Sequence, residues 1–169
     1  MRNFKTLLAV AIFMIGAAFT TNAQSKVAHI ASQELIEAMP GYKQAMSDLE
    51  KLQKTYQEDY NGMLKEAQGT MQRYEAEAAT KTDEENAKRM QEMQETQRRI
   101  QERGMAIQQD LKKKEVELLK PVYEKARVAV QKVARAKGYD YVLDSTTGTG
   151  VILADGYDLM ADVKKELGF

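Results

Sequence analysis

Between Tyr42 and Lys137 the chain runs almost a hundred residues with one proline, Pro121, and its apolar residues follow a helical period broken once, near Thr80 to Asp83. Such a stretch predicts two long helices folded back on each other. So thin an object cannot bury a globular core of its own, and the stability of the whole must come from elsewhere.

In the first predicted helix, apolar or small residues fall at Ala45, Leu49, Leu52, Tyr56, Tyr60, Met63, Ala67, Met71, Tyr74 and Ala78, in steps of 4, 3 and 4. That is an eleven-residue period, which favours a straight or slightly right-handed arm over a left-handed supercoil. Thr82 to Glu85 fits a capping box that opens the return helix, the hydroxyl and the carboxylate each serving the other residue's amide. The return stripe is Met90, Met93, Gln97, Ile100, Gly104, Ile107 and Leu111, continued by Leu118, Val122, Ala126, Ala129 and Val133. With the turn near 80–83, the expected register sets Met71 opposite Met93, Tyr56 opposite Ile107, and the large Tyr60 opposite the empty slot at Gly104. Gly138 supplies a left-handed cap after Arg135 and Lys137. Pro121 belongs where the arm bends into its base, since a proline inside a helix costs about 3 kcal/mol.

Outside the arm the elements are short. Lys26 to Ala31 alternates as a strand, and Ser32 caps a short helix that ends at Pro40. Tyr139 to Asp144 and Thr149 to Ala154 predict a second and third strand around a turn at Ser145 to Gly148, and Asp158 caps a terminal helix, Leu159 to Leu167. Three short strands make a poor sheet alone, so these pieces are expected to close against copies of the same chain.

Met1 to Ala23 has Arg2 and Lys5 before an apolar run from Leu7 to Phe19 and then Thr21-Asn22-Ala23. This predicts an export signal cleaved after Ala23, the run being short of the ~20 residues that span a bilayer. The expected organisation is therefore 1–23 signal peptide, 24–41 strand and short helix, 42–137 arm, and 138–169 terminal strands and helix. Without Arg2 and Lys5 the chain has 23 basic against 25 acidic residues, a balance that does not suggest nucleic acid. Cysteine is absent, which excludes disulfides and a lipidated N-terminal cysteine.

No catalytic, cofactor or metal motif emerges. His29 is the single histidine and reads as a satisfied strand residue. Asp140, Asp144, Asp155 and Asp158 lack the ligand spacing of a calcium loop and read as turn and cap residues. Thr147 to Val151 is no phosphate loop, since no Lys-Ser/Thr follows. Methionine carries more information, because flexible thioethers adapt to varied partners. Met63, Met71, Met90 and Met93 fall on the stripe joining the helices, whereas Leu64 and Met105 lie off it and are the better exposed contacts. Gly62 and Gly104 sit at one height inside the two helices and suggest a hinge, close packing of Gly104 on Tyr60 being the alternative.

The segments Ser-Gln-Glu-Leu-Ile-Glu-Ala-Met-Pro (32–40), Lys-Val-Ala-Arg-Ala-Lys-Gly-Tyr-Asp-Tyr-Val-Leu-Asp (132–144) and Asp-Leu-Met-Ala-Asp-Val-Lys-Lys-Glu-Leu (158–167), around a long charged hairpin, resemble the OmpH/Skp family of periplasmic chaperones. The resemblance implies a mainly α fold: a coiled-coil helical hairpin projecting from a small β-barrel-like base in a homotrimer. It implies that Val27, Ile30, Tyr141, Leu143, Val151 and Leu153 form the trimer body. It implies a periplasmic, non-enzymatic holdase that needs no ATP or cofactor and keeps unfolded outer-membrane β-barrel proteins from aggregating. Met63, Leu64, Met71, Met90, Met93, Met105, Lys112, Lys113 and Lys114 are the expected client contacts. Without the signal segment the chain is near neutral, so electrostatic capture and any membrane or lipopolysaccharide contact are expected to be weak, although positive charge survives from Glu84 to Lys137, with 14 basic against 9 acidic residues. A structural coiled-coil spacer or adaptor of the envelope is the alternative.

Overall fold

The computed structural model describes residues 25–169; the expected signal peptide lies outside the described residues. In chain order they form β1 (Val27–Ile30), α1 (Ser32–Ala38), α2 (Pro40–Glu77), a 3-10 turn (Ala78–Thr80), α3 (Asp83–Ala136), β2 (Tyr141–Asp144), β3 (Tyr157–Asp158) and α4 (Met160–Leu167). The protein is mostly helical, with one three-stranded sheet ordered β2-β1-β3 and β1 parallel to both neighbours. A parallel β1–β2 pair requires a crossover connection. Here the crossover is α1, α2 and α3 together, so the arm is one greatly extended β-to-β connection.

At 1.5 Å per residue, the 38 residues of α2 and 54 of α3 give lengths of roughly 57 and 81 Å. Pro40 occupies the first position of α2, where its missing N–H would have no helical partner anyway. At the turn, Thr82 Oγ1 accepts from the Glu85 amide at 3.2 Å and Glu85 Oε2 accepts from the Thr82 amide at 3.0 Å, completing the expected capping box. Asn86 reaches back to the Ala78 carbonyl at 3.0 Å and stitches the turn to the helix it follows. At the other end of α3, Gly138 is left-handed at φ 74°, and the Tyr139 and Gly138 amides donate to Ala134 and Arg135 carbonyls at 2.9 and 3.1 Å. This is a Schellman ending. The helix assignment of α3 continues through Pro121, which lines a recess at the base with Met39, Pro40 and Phe169.

The seam between α2 and α3 is closed by two copies of one polar arrangement. Tyr56 donates its hydroxyl to Asp110, the Arg103 guanidinium lies 5.4 Å from the Tyr56 ring centre, and Arg103 pairs with Asp59 at 3.5 Å. Eighteen residues along α2, Tyr74 donates to Glu92 at 2.8 Å, Arg89 lies 4.5 Å from its ring centre, and Arg89 pairs with Glu77 at 2.6 Å. In both, the acid stands three residues after the tyrosine, one turn along the same face. Between them Tyr60 fills the space at Gly104, where an added Cβ would meet the ring at 3.5 Å. The expected Tyr60–Gly104 register is thus the one found.

The main core lies at the base, while along the arm Ile100 is buried in the seam. Ala28 and Ile30 from β1, Leu35 and Ile36 from α1, Met39, Val122, Ala126, Ala129, Val133 and Ala134, and Leu159 and Val163 are buried together. The Lys132–Glu166 and Lys137–Asp162 pairs, at 2.5 and 3.0 Å, tie α4 to the end of α3.

Three expectations at the base are corrected. Thr149 to Ala154 forms no strand: Gly148 and Gly150 turn left-handed at φ 91° and 92°, and the free edge of β1 is taken by Tyr157–Asp158 instead. Ser32 is not the cap of α1; Ala31 holds that position, and the first amides are served from a distance, Ser32 N by Asp144 at 3.1 Å and Gln33 N by Thr146 Oγ1 at 3.2 Å. Leu159, not Asp158, stands at the cap position of α4, although Asp158 still accepts from the Met160 amide at 2.8 Å.

Candidate functional site

The loop from Ser145 to Gly156 is held at its two ends. His29 Nε2 meets the Gly156 carbonyl at 3.1 Å, and because a carbonyl only accepts, the proton is on Nε2. Nδ1 then accepts from the Ser145 hydroxyl at 3.2 Å. Asp144 anchors the same end: it accepts from the Ser32 hydroxyl, from Thr146 Oγ1 at 2.6 Å, and from the Thr146 and Ser32 amides at 2.9 and 3.1 Å. Partial burial opposes its charge, but these donors prevail and hold its carboxyl down at about 2.

With its ends fixed, the loop presents apolar residues outward. Ile152 is fully exposed at 102% and Leu153 at 75%, while Val151 is half-buried. Val27 pairs with Tyr141 and His29 with Leu143, so Val27, Tyr141 and Leu143 lie on the sheet face turned away from the core, and all three are exposed. Ile30 differs from the other residues assigned to the trimer body: it is buried within the chain's own core. A sheet covered on one face by helices and apolar on the other is an unfinished layer.

Beside the sheet is an open groove of about 590 Å³, lined by Ile30, Leu35, Ile36, Tyr123, Val130 and Val142 among others. Tyr123 continues it onto the arm. Exposed Met105, Val116 and Tyr123 are separated by 11 and 7 residues, which places them along one line of α3 about 27 Å long. Val116 and Tyr123 were missed from sequence, although that spacing, off the joining stripe, is the signal that reveals them.

The remaining candidates divide. Leu64, 44% exposed, and Met105, 58% exposed, stand outside the seam. Met63 is half-buried beside Ala67 and Ile100 in the seam. Met90, expected on the joining stripe, is 64% exposed, because the polar Tyr74–Arg89–Glu77 arrangement occupies the contact there. It borders a groove of about 490 Å³ near the arm's end with Met71, Met93, Tyr74 and Arg89. Lys113 and Lys114 share the single carboxylate of Glu117 at 3.8 and 2.8 Å, while Lys112 has no such partner among the described residues. Hydrogen bonding to Glu117, then its charge, pushes the Lys114 ammonium pKa up. Gly62 has no neighbour within 4 Å of an added Cβ.

Among the described residues no group of three or more His, Cys, Asp or Glu side chains converges, and no helix is long and apolar enough to cross a membrane. The family model described as outer membrane protein (OmpH-like) matches residues 26–167. A protein named chaperone protein Skp in Photorhabdus laumondii is 25% identical over 143 residues, covering 83% of this chain and 87% of the relative. Proteins of the same name in Photorhabdus luminescens and Yersinia enterocolitica are each 24% identical, covering 96% of this chain and 99% and 98% of theirs. The crystal structure of a putative outer membrane chaperone (OmpH-like) from Caulobacter crescentus CB15 superimposes with a TM-score of 0.76 at 18% identity, covering 86% of this chain and 85% of that one. That likeness establishes the fold.

Proposed function

Since the chain belongs to the OmpH-like outer membrane protein family, we propose that it is a holdase chaperone of the periplasm, exported by the segment 1–23, that binds unfolded outer-membrane β-barrel proteins without ATP. The observation that carries this reading is the exposed apolar line Met105, Val116 and Tyr123, which leads along the arm into the open groove of the base. An unfolded chain can lie on such a surface at many registers. Each contact is weak, so release needs no nucleotide, while many contacts on linked arms act together.

Assembly as a homotrimer completes the base. The exposed faces of Val27, Tyr141 and Leu143 and the loop residues Val151, Ile152 and Leu153 are the surfaces to be covered by further copies, closing the sheet into a barrel-like body. Three arms then surround a cavity, with Leu64, Met105 and the tip methionines as client contacts and Gly62 and Gly104 as the points where the arms flex. The name Skp carried by relatives spanning nearly the whole chain supports the chaperone reading.

Dilution of a urea-unfolded outer-membrane β-barrel into buffer tests it. The protein is expected to suppress light scattering by the client without nucleotide, and Val116→Asp with Tyr123→Asp to weaken that suppression. A spacer of the envelope would leave the scattering unchanged.

A further inference from the structure

Met71, Met90 and Met93 line one groove at the arm's end with Tyr74, Ala78 and Arg89. Met90 and Met71 are 64% and 45% exposed, so these residues are open to a small oxidant. Arg89 is held in the same groove: its Nη2 pairs with Glu77 at 2.6 Å, and the guanidinium lies 4.5 Å from the Tyr74 ring centre. Its Nη1 is buried and has no hydrogen-bond acceptor among the described residues. A donor withdrawn from water without an acceptor is unfavourable, and a thioether sulfur is too weak an acceptor to relieve it. A sulfoxide oxygen is a strong one.

We propose that this groove is a methionine oxidation site, in which a two-electron oxidant of the peroxide class converts Met90 and Met71 to sulfoxides and Arg89 Nη1 donates to the new oxygen. A sulfur lone pair attacks one peroxide oxygen and the O–O bond breaks. One oxygen remains as S=O; the other takes up the protons and leaves as water. The sulfur loses two electrons and the peroxide gains them. The groove passes from apolar and adaptable to polar and internally bonded, and its capacity for apolar segments falls. Sulfoxide reductases reverse the change. The effect on clients rests on the chaperone reading above; the chemistry at the groove does not.

The test uses the full mature chain treated with hydrogen peroxide, peptide-mapping mass spectrometry, fluorescence of the apolar dye 1-anilinonaphthalene-8-sulfonate, and client scattering. Sulfoxide is expected at Met90 and Met71 ahead of the half-buried Met63. Groove-dependent dye fluorescence, taken as the difference from an M71D/M90D variant, is expected to drop at least about twofold on oxidation. M71L/M90L/M93L keeps the groove apolar without sulfur and should hold its own dye signal through peroxide treatment, whereas the dye signal of M105L should drop as that of the wild type does. Hydrogen exchange at residues 71–93 should slow on oxidation of the wild type, where Arg89 gains an acceptor, and should not slow in R89K, which keeps a charge for Glu77 but not the fork of donors. The inference is overturned if Met63 oxidises as fast as Met90, if the triple leucine variant loses dye signal like the wild type, or if R89K and wild type exchange alike after oxidation. Untreated protein that fails to suppress scattering refutes the chaperone reading alone, because the dye, mapping and exchange results still decide the site.

Discussion

Replacing Asp144 separates the charge of its carboxylate from its shape. The group takes hydrogen bonds from the Ser32 and Thr146 hydroxyls and amides, and so joins the end of β2 to the start of α1 across more than a hundred residues of intervening arm. Holding the carboxyl at about 2 instead of its ordinary 3.8 would be worth roughly 2 kcal/mol in a shielded site, at about 1.4 kcal/mol per tenfold in proton affinity. The side chain is partly open to water, and screening brings this to about 1 kcal/mol. Asp144→Asn keeps an acceptor for the two amides and should lose about that amount. Asp144→Ala also uncaps α1, adding ~1 kcal/mol for a total of about 2 kcal/mol. Because the folded carboxyl is more acidic than the unfolded one, this stabilisation is complete above about pH 4 and disappears as pH falls toward 2. Urea unfolding followed by circular dichroism at one fixed chain concentration, between pH 7 and pH 2, measures it. Wild type and Asp144→Asn should differ most at neutral pH and converge in acid. Equal stability at pH 7, or a gap that persists at pH 2, refutes the reasoning.

Other perturbations follow from the same geometry. Thr82→Ala removes half of the capping box and should cost about 1 kcal/mol, read as faster hydrogen exchange in the first turn of α3 while the base is unchanged. Gly104→Ala should stabilise the arm by up to about 1 kcal/mol, because its methyl meets Tyr60 at an ordinary 3.5 Å; Gly104→Leu should part the helices instead, seen as a lower thermal midpoint. Gly62→Ala with Gly104→Ala should narrow spin-label distance distributions between arm tips, and unchanged widths would discard the hinge. Ile152→Asp with Leu153→Asp should shift native mass spectra from three copies toward one without loss of helicity.

The helices were legible because repetition is legible: the eleven-residue steps of α2, the Thr82–Glu85 box and Gly138 each announce themselves within a few neighbouring residues. The base was harder, since its features depend on contacts between residues more than a hundred apart. Nothing near Ser32 says that its amide will be capped by Asp144. An apolar run such as Val151 to Leu153 reads as a strand whether or not an edge is free to receive it. Met90 misled for a related reason, because periodicity marks the seam but does not reveal that Tyr74 and Arg89 fill it. The polar arrangements themselves are spelled in the sequence, as Tyr-x-x-Asp at 56–59 and Tyr-x-x-Glu at 74–77, but only the opposite helix gives them meaning.

The most direct measurement is native mass spectrometry of the mature chain mixed with a urea-unfolded outer-membrane β-barrel, with scattering recorded on the same sample. A holdase gives three copies of the chain bound to one client, formed without nucleotide, and a clear solution. A stable monomer at micromolar concentration with a turbid, unbound client would contradict it.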